Sequence, residues 1–144
     1  VRALLLLAAL VACGKQPVKP DAQTAFCTDQ APRAPTFANV QTLFSTICVT
    51  CHTAGAGLDL AAPAYGRIVN MPAVDYTNPA TMDSCGGTLV VPGNAAASYL
   101  FIKISSDSPC AGSRMPVSDI GASEPLPQCA QNLIHDWIES GAPN

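Results

Sequence analysis

Apolar residues recur at helical spacing in three stretches of the chain, and these stretches predict three main helices. The first helix is predicted from about residue 37 to 51, with Thr36 as its N-cap. The second follows Asn94 as a cap and runs from 95 to about 104. The third begins near 127 or 128, runs to 140 and ends at Gly141, a typical C′ terminator.

The predicted first helix carries a continuous apolar face that includes two cysteines. Its residues follow a period of 3.6, as expected for one side of a helix packed on a core. They are Val40, Leu43, Phe44, Ile47, Cys48 and Cys51. The last helix has an apolar face of Cys129, Leu133, Ile134, Trp137 and Ile138, and its opposite face is polar and includes His135. We therefore interpret His135 as a solvated side chain.

Polar segments rich in proline and glycine separate the predicted helices. The chain has 13 prolines and 10 glycines, which indicates long loops. Residues 63–69 predict a short helical turn that carries Tyr65, and residues 89–92 predict a short extended piece. Leu58 and Leu60 follow two glycines, in a loop that is expected to turn closely around a bulky group or to pack on the core.

The N-terminal residues resemble an export signal. Arg2 precedes a short apolar core, and Leu10-Val11-Ala12-Cys13 resembles the lipobox of bacterial lipoproteins. That resemblance implies a signal peptide at 1–12, lipidation of Cys13, a tether at 13–35 and a folded domain at 36–144. By resemblance to lipoprotein sorting, Gly14 in place of an aspartate directly after Cys13 favours the outer membrane and a periplasmic location. An ordinary signal peptide or a short N-terminal core strand is the alternative.

Length and charge exclude several classes of protein. The 144 residues are enough for one domain, and the net charge is −3 with only 12% charged residues. The seven basic residues are scattered, so nucleic acid is not an expected partner. There is no run of 18 apolar residues to span a membrane, and no Ser-His-Asp set or phosphate loop to support a hydrolase or a kinase.

The segment Cys48-Val49-Thr50-Cys51-His52 has the spacing of a c-type haem attachment motif. Residues three apart on a helical turn point to one side, so Cys48 and Cys51 can each form a thioether with one porphyrin edge. His52 follows directly and is then placed to bind the iron from the proximal side. The competing interpretations are a thioredoxin-like dithiol, half of a zinc site and a plain disulfide. A second ligand pair with zinc-site spacing does not occur in the sequence.

The other cysteines of the domain are even in number and fit an exported, disulfide-bonded protein. If the haem claims Cys48 and Cys51, four remain, and these allow three pairings. They are Cys27, Cys85, Cys110 and Cys129. Our hypothesis pairs Cys85 with Cys110, which would clip a loop beside the haem, and Cys27 with Cys129, which would tie the entry segment to the final helix.

The order of these features resembles monohaem class I c-type cytochromes in a lipoprotein form. The resemblance covers about residues 37–142 and rests on four motifs. They are the helix ending in Cys48-Val49-Thr50-Cys51-His52, Val91-Pro92-Gly93 before the second helix, Arg114-Met115-Pro116, and the last helix with Ile134, Trp137, Ile138 and Gly141. The resemblance implies a small all-α fold in which the first and last helices cross and long loops wrap one covalent haem c.

The same resemblance implies that Met115 is the distal iron ligand. Met71-Pro72 is a second Met-Pro dipeptide, but it comes only 19 residues after His52, whereas Met115 comes just before the last helix, as in the family. Met82 has no supporting context. The four extra cysteines and the long 61–92 segment differ from the family's pattern. These differences bear on how the loops pack over the haem and not on its attachment.

These observations predict an electron carrier rather than an enzyme. Ligation by both His52 and Met115 would leave no open coordination site on the iron. One-electron exchange with unknown redox partner proteins is therefore expected, with no small-molecule substrate. The alternatives are a haem sensor or peroxidase-like enzyme with an open distal site, and a haem-free, disulfide-stapled binding domain.

Overall fold

The computed structural model describes residues 26–27, 33–53, 57–73, 87–117 and 124–144. The predicted signal peptide, Cys13, Met82 and Cys85 lie outside these residues, as does most of the tether. Within them the structure is mostly helical and contains no sheet, which agrees with the predicted all-α class. None of the described helices is long and apolar enough to cross a membrane.

The first helix has two parts with different hydrogen bonding. Helix α1 spans Phe37–Leu43, and Thr36 is its N-cap, as predicted, with its hydroxyl accepting the Asn39 N–H at 3.4 Å. A π-helical segment, Phe44–Cys48, then continues the helix, and the Val49 N–H donates to the Phe44 carbonyl at 2.9 Å. The helix therefore ends at Cys48 rather than at the predicted Cys51.

Helix α2, Tyr65–Ile68, is the predicted short turn. After it the chain runs in extended form beside residues 87–90, where isolated bridges join Val69 to Val90 and Pro72 to Thr88. Val90 is buried, in agreement with the extended piece predicted around it. These bridges hold the segment after α2 against the approach to the next helix.

Helix α3 spans Tyr99–Ser105 and begins four residues later than predicted. The Asn94 side chain accepts the Ala97 N–H at 2.9 Å and so caps a turn that precedes the helix. The buried Ser98 is the N-cap residue, and its hydroxyl oxygen accepts the Val91 N–H at 2.8 Å. Because the Ser98 side chain binds Val91 in the preceding loop, Ser98 stays outside the helix and regular helical bonding starts at Tyr99.

Helix α4, Gln128–Glu139, has nearly the predicted bounds. Gly141 follows with a φ of +97°, a conformation that glycine adopts without a steric penalty, and its N–H donates to the Ile138 carbonyl at 2.9 Å. The predicted apolar face is buried at Leu133, Ile134, Trp137 and Ile138, but the remaining member, Cys129, is exposed.

The core lies where α1, α2 and α4 meet. Trp137 is fully buried, and its ring centroid lies 5.5 Å from that of Phe37 and 6.5 Å from that of Tyr65. The indole N–H donates to the Pro143 carbonyl at 2.8 Å, and the Tyr65 hydroxyl donates to the Ala142 carbonyl at 2.9 Å. The last residues of the chain are thereby fixed onto the aromatic cluster.

A disulfide joins Cys27 to Cys129, as hypothesised from the sequence, with their Cα atoms 6.1 Å apart. Cys129 lies in the first turn of α4, which explains its exposure: it binds the entry segment rather than the core. Cys110 is also disulfide-bonded. Its hypothesised partner, Cys85, is not among the described residues, so that pairing stays a prediction.

We expect replacement of both Cys27 and Cys129 by alanine to lower the free energy of unfolding by about 2–4 kcal/mol, because the bridge closes a long loop in the unfolded chain. Urea unfolding followed by circular dichroism measures this difference. Reduction of the wild type should lower the free energy of unfolding by at least as much, because reduction also opens the disulfides at Cys51 and Cys110. A variant as stable as the wild type would contradict the expectation.

Candidate functional site

A cavity of about 540 Å³ opens between the end of the first helix, the loop after His52, helix α3 and the segment that precedes α4. Its volume lies in the range of small-molecule and cofactor sites. The lining is largely apolar and includes Phe44, Leu58, Leu60, Leu100, Ile104 and Ile134. Leu58 and Leu60 therefore face this cavity, one of the two placements that the sequence allowed.

The cavity brings together three of the four predicted haem-binding residues. Cys48, His52 and Met115 all line it, although Met115 is 63 residues away from His52 in the sequence. Cys51 is not part of the lining, and it is disulfide-bonded. The chain thus places a thiol, an imidazole and the Met115 thioether around a space large enough for a cofactor.

His52 is held by hydrogen bonds that reach back to helix α1. Its N–H donates to the Cys48 carbonyl at 2.9 Å, and its carbonyl accepts the Leu60 N–H at 2.9 Å. The Gln41 side chain donates to the Leu60 carbonyl at 3.0 Å and accepts the Ala64 N–H at 2.8 Å. Gln41 therefore clamps the loop behind His52, a role that the sequence pattern did not reveal because Gln41 is 19 residues from Leu60.

The imidazole of His52 has the properties of a metal ligand. Burial lowers its pKa below the ordinary 6.5, the charge of Lys103 lowers it further, and a hydrogen bond with the Leu58 backbone opposes both. The neutral form, which is the form that coordinates a metal, is therefore favoured. Its Nδ1 atom is buried without a hydrogen-bond partner. Because a buried polar atom normally has a partner, this orphaned nitrogen fits a site completed by a bound group.

Cys48 is a free thiol that is largely withdrawn from water. The structure therefore does not contain the Cys48–Cys51 disulfide that was one interpretation of the motif. Burial raises the pKa of the Cys48 thiol from 9.0 to about 12. The thiol is thus protonated at any physiological pH.

This pKa predicts slow alkylation of Cys48 in folded protein made without haem. At pH 8 the thiolate fraction should be about a thousandfold lower than that of an ordinary thiol, so iodoacetamide should label Cys48 correspondingly slowly. Because the pKa is higher in the folded than in the unfolded chain, the contribution of Cys48 to folding stability should be constant below pH 9 and be lost as pH rises from there toward 12.

Mass spectrometry of the Cys48 peptide measures the labelling rate. The same chain in urea at the same pH is the control, and it should be labelled at the ordinary rate. Equal rates in both conditions would show that the thiol is accessible and the pKa argument wrong.

Both methionines that the sequence considered as ligands line the same cavity. Met115 is half-buried against the core, and its N–H donates to the Lys103 carbonyl at 2.8 Å. Met71 is 41% exposed, the one large hydrophobic side chain that is exposed among the described residues. Burial thus favours Met115, in line with its predicted role, while proximity to the cavity alone does not separate the two.

His135 does not line the cavity. Its side chain is 44% exposed, its Nδ1 lies 2.9 Å from an Asp136 carboxylate oxygen, and its ring packs at 5.3 Å from that of Phe101. It lies on the surface of α4, in agreement with its interpretation as a solvated histidine.

Five polar side chains of the lining were not identified from the sequence as site residues: Asp59, Arg67, Tyr99, Lys103 and Ser113. Arg67 lies 3.6 Å from the Asp59 carboxylate and donates to the Asp59 carbonyl at 3.0 Å. The Lys103 ammonium donates to the Ala111 carbonyl. The spacing of Tyr99 and Lys103, four residues apart on α3, is the one sequence signal that they share a face.

Comparison of the chain with protein-family models, with curated proteins and with solved structures finds no match. Within the described residues, no three His, Cys, Asp or Glu side chains group closely enough to hold a metal ion by themselves.

Proposed function

We propose that this protein is a monohaem c-type cytochrome that transfers electrons outside the cytoplasm. The observation that carries the proposal is the cavity lined jointly by Cys48, His52 and Met115. These are the attachment residue, the proximal ligand and the distal ligand that the sequence motifs predict. A buried histidine nitrogen without a partner supports the assignment.

Each residue has a defined part in this proposal. His52 supplies a neutral imidazole nitrogen, and the loop held by Gln41 fixes its orientation. Met115 would supply a thioether, which favours the ferrous state and gives a higher reduction potential than a second histidine would. The largely apolar lining would limit the access of water. Bound haem would supply one-electron chemistry, and its ligation by both His52 and Met115 would leave no place for a substrate on the iron.

The disulfide at Cys51 adds one requirement to covalent attachment. A thioether forms when a thiol adds across a vinyl group, so the sulfur and its hydrogen must both be available. Cys48 meets this condition as it stands, whereas Cys51 must first be reduced. The proposal therefore includes a reducing step, by a thiol reductant, before haem is attached through both cysteines.

The proposed location rests on the N-terminal sequence. The lipobox-like Leu10-Val11-Ala12-Cys13 and the tether to residue 35 would anchor the domain by lipid at the periplasmic side of a membrane, the outer membrane by preference. The disulfide between Cys27 and Cys129 accords with an oxidising compartment. The electron partners would be other redox proteins of that compartment.

The test is a pyridine haemochrome and a visible spectrum of protein made with cytochrome c maturation enzymes. We expect a covalent c-type spectrum, together with the weak near-infrared sulfur-to-iron band in the oxidised form. Haem without that band, combined with carbon monoxide binding at neutral pH, would instead support the sensor or peroxidase-like alternative. Absence of covalent haem would overturn the proposal.

A further inference from the structure

Two side chains of α3 converge on the backbone of one residue, Ala111, in the loop that leads to Met115. The Lys103 ammonium donates to the Ala111 carbonyl. The Tyr99 hydroxyl lies 3.3 Å from the same carbonyl and also accepts the Ala111 N–H at 3.2 Å. Since both side chains line the cavity, the loop is fastened at the cavity wall.

The next residue is shaped to allow this contact. Gly112 has a φ of +61°, and a Cβ atom added to it would lie 3.2 Å from the Lys103 Nζ atom. Such a Cβ would push the ammonium away and strain the backbone as well. Glycine at this position therefore allows the close approach of the lysine to the loop.

The backbone of Lys103 holds the other end of the same segment. Its carbonyl accepts the Met115 N–H at 2.8 Å. Residues 111–115 are thus attached to Lys103 at both ends, through its side chain at Ala111 and through its carbonyl at Met115. The three residues between these two points therefore have little freedom to move away from the cavity.

From these contacts we propose that Lys103 and Tyr99 are positioning residues that hold the Met115 segment against the cavity and so keep the Met115 thioether on the iron. This inference rests on the proposed function. It assigns to α3 the control of the distal ligand: the segment carrying Met115 opens only when the contacts at Ala111 break.

The experiment compares variants of the full, haem-loaded chain. Lys103→Met keeps the aliphatic stem and removes the ammonium, Tyr99→Phe removes the hydroxyl, and Gly112→Ala displaces the loop without changing any charge. Tyr65→Phe is the matched control, because it also removes a hydroxyl-to-carbonyl hydrogen bond, to Ala142, at a position outside the cavity lining.

The readouts are the near-infrared band of the oxidised protein, the rate of carbon monoxide binding to the reduced protein, and hydrogen exchange of residues 106–117. We expect Lys103→Met to raise the carbon monoxide rate about tenfold, a change equivalent to about 1.4 kcal/mol, the size of one hydrogen bond to a charged group. Tyr99→Phe and Gly112→Ala should change it in the same direction, and Lys103→Arg should restore a rate nearer the wild type.

The results separate this inference from the proposed function. A wild type without haem or without the near-infrared band would refute the proposed cytochrome itself. A wild type that has both, with Lys103→Met no faster than Tyr65→Phe, would overturn the positioning role alone. The positioning role would also be overturned if hydrogen exchange of residues 106–117 were unchanged in Lys103→Met, Tyr99→Phe and Gly112→Ala.

Discussion

In the proposed cytochrome, replacement of Met115 by alanine is expected to abolish the near-infrared sulfur-to-iron band. The reduction potential should fall by on the order of 100 mV or more, since the identity of the iron ligands spreads haem potentials over about 0.8 V. The thioether would be lost from a position that lines the cavity. The vacated coordination site should then bind carbon monoxide in the reduced protein. Redox titration and absorption spectroscopy measure both effects.

Met71→Ala is the matched control for this prediction. Met71 is also followed by proline and also lines the cavity, but it is 41% exposed. Its removal should leave the near-infrared band intact and the potential nearly unchanged. The reverse result, with the band lost in Met71→Ala and kept in Met115→Ala, would transfer the distal role to Met71.

Replacement of Trp137 by alanine should lower the free energy of unfolding by about 3–5 kcal/mol, the usual cost of truncating a buried aromatic side chain. Trp137 is fully buried against Phe37 and Tyr65, and its indole N–H donates to the Pro143 carbonyl. The variant would leave a cavity at the junction of α1, α2 and α4. Urea unfolding of the haem-loaded protein measures the loss.

An exposed residue on the same helix gives the comparison. Asn132→Ala removes a surface side chain of α4, and it should change the free energy of unfolding by no more than about 0.5 kcal/mol. If Trp137→Ala were as mild as Asn132→Ala, the aromatic cluster would not be the centre of the core.

The helices that the sequence predicted best are those whose ends are set by local chemistry. Thr36 caps α1 through a residue three positions away, and Gly141 ends α4 through a backbone conformation that suits glycine. The start of α3 was misplaced because it depends on Ser98, whose hydroxyl binds Val91 in the preceding loop. Hydrophobic periodicity contains no information about such a contact.

The same division applies to the site. Cys48 and His52 were predicted from a five-residue motif, and the structure places both at one cavity with Met115. Gln41 and Lys103 were missed as site residues because their roles depend on loops that fold back from elsewhere in the chain. From the sequence alone, a polar side chain in a predicted helix is assigned to the solvent-exposed face. Only the structure shows which loop packs against it.

The π-helical segment, Phe44–Cys48, has a consequence for the length of the chain. A π turn accommodates one residue more than an α-helical turn, so the residues after it keep their angular position although the chain is one residue longer. Deleting one residue from 44–47 should therefore restore regular bonding and leave His52 on the same side of the molecule. The same deletion in the regular helix α1 would rotate the residues that follow by about 100° around the helix axis. The site is therefore more tolerant of a single-residue deletion in the π-helical segment than in α1.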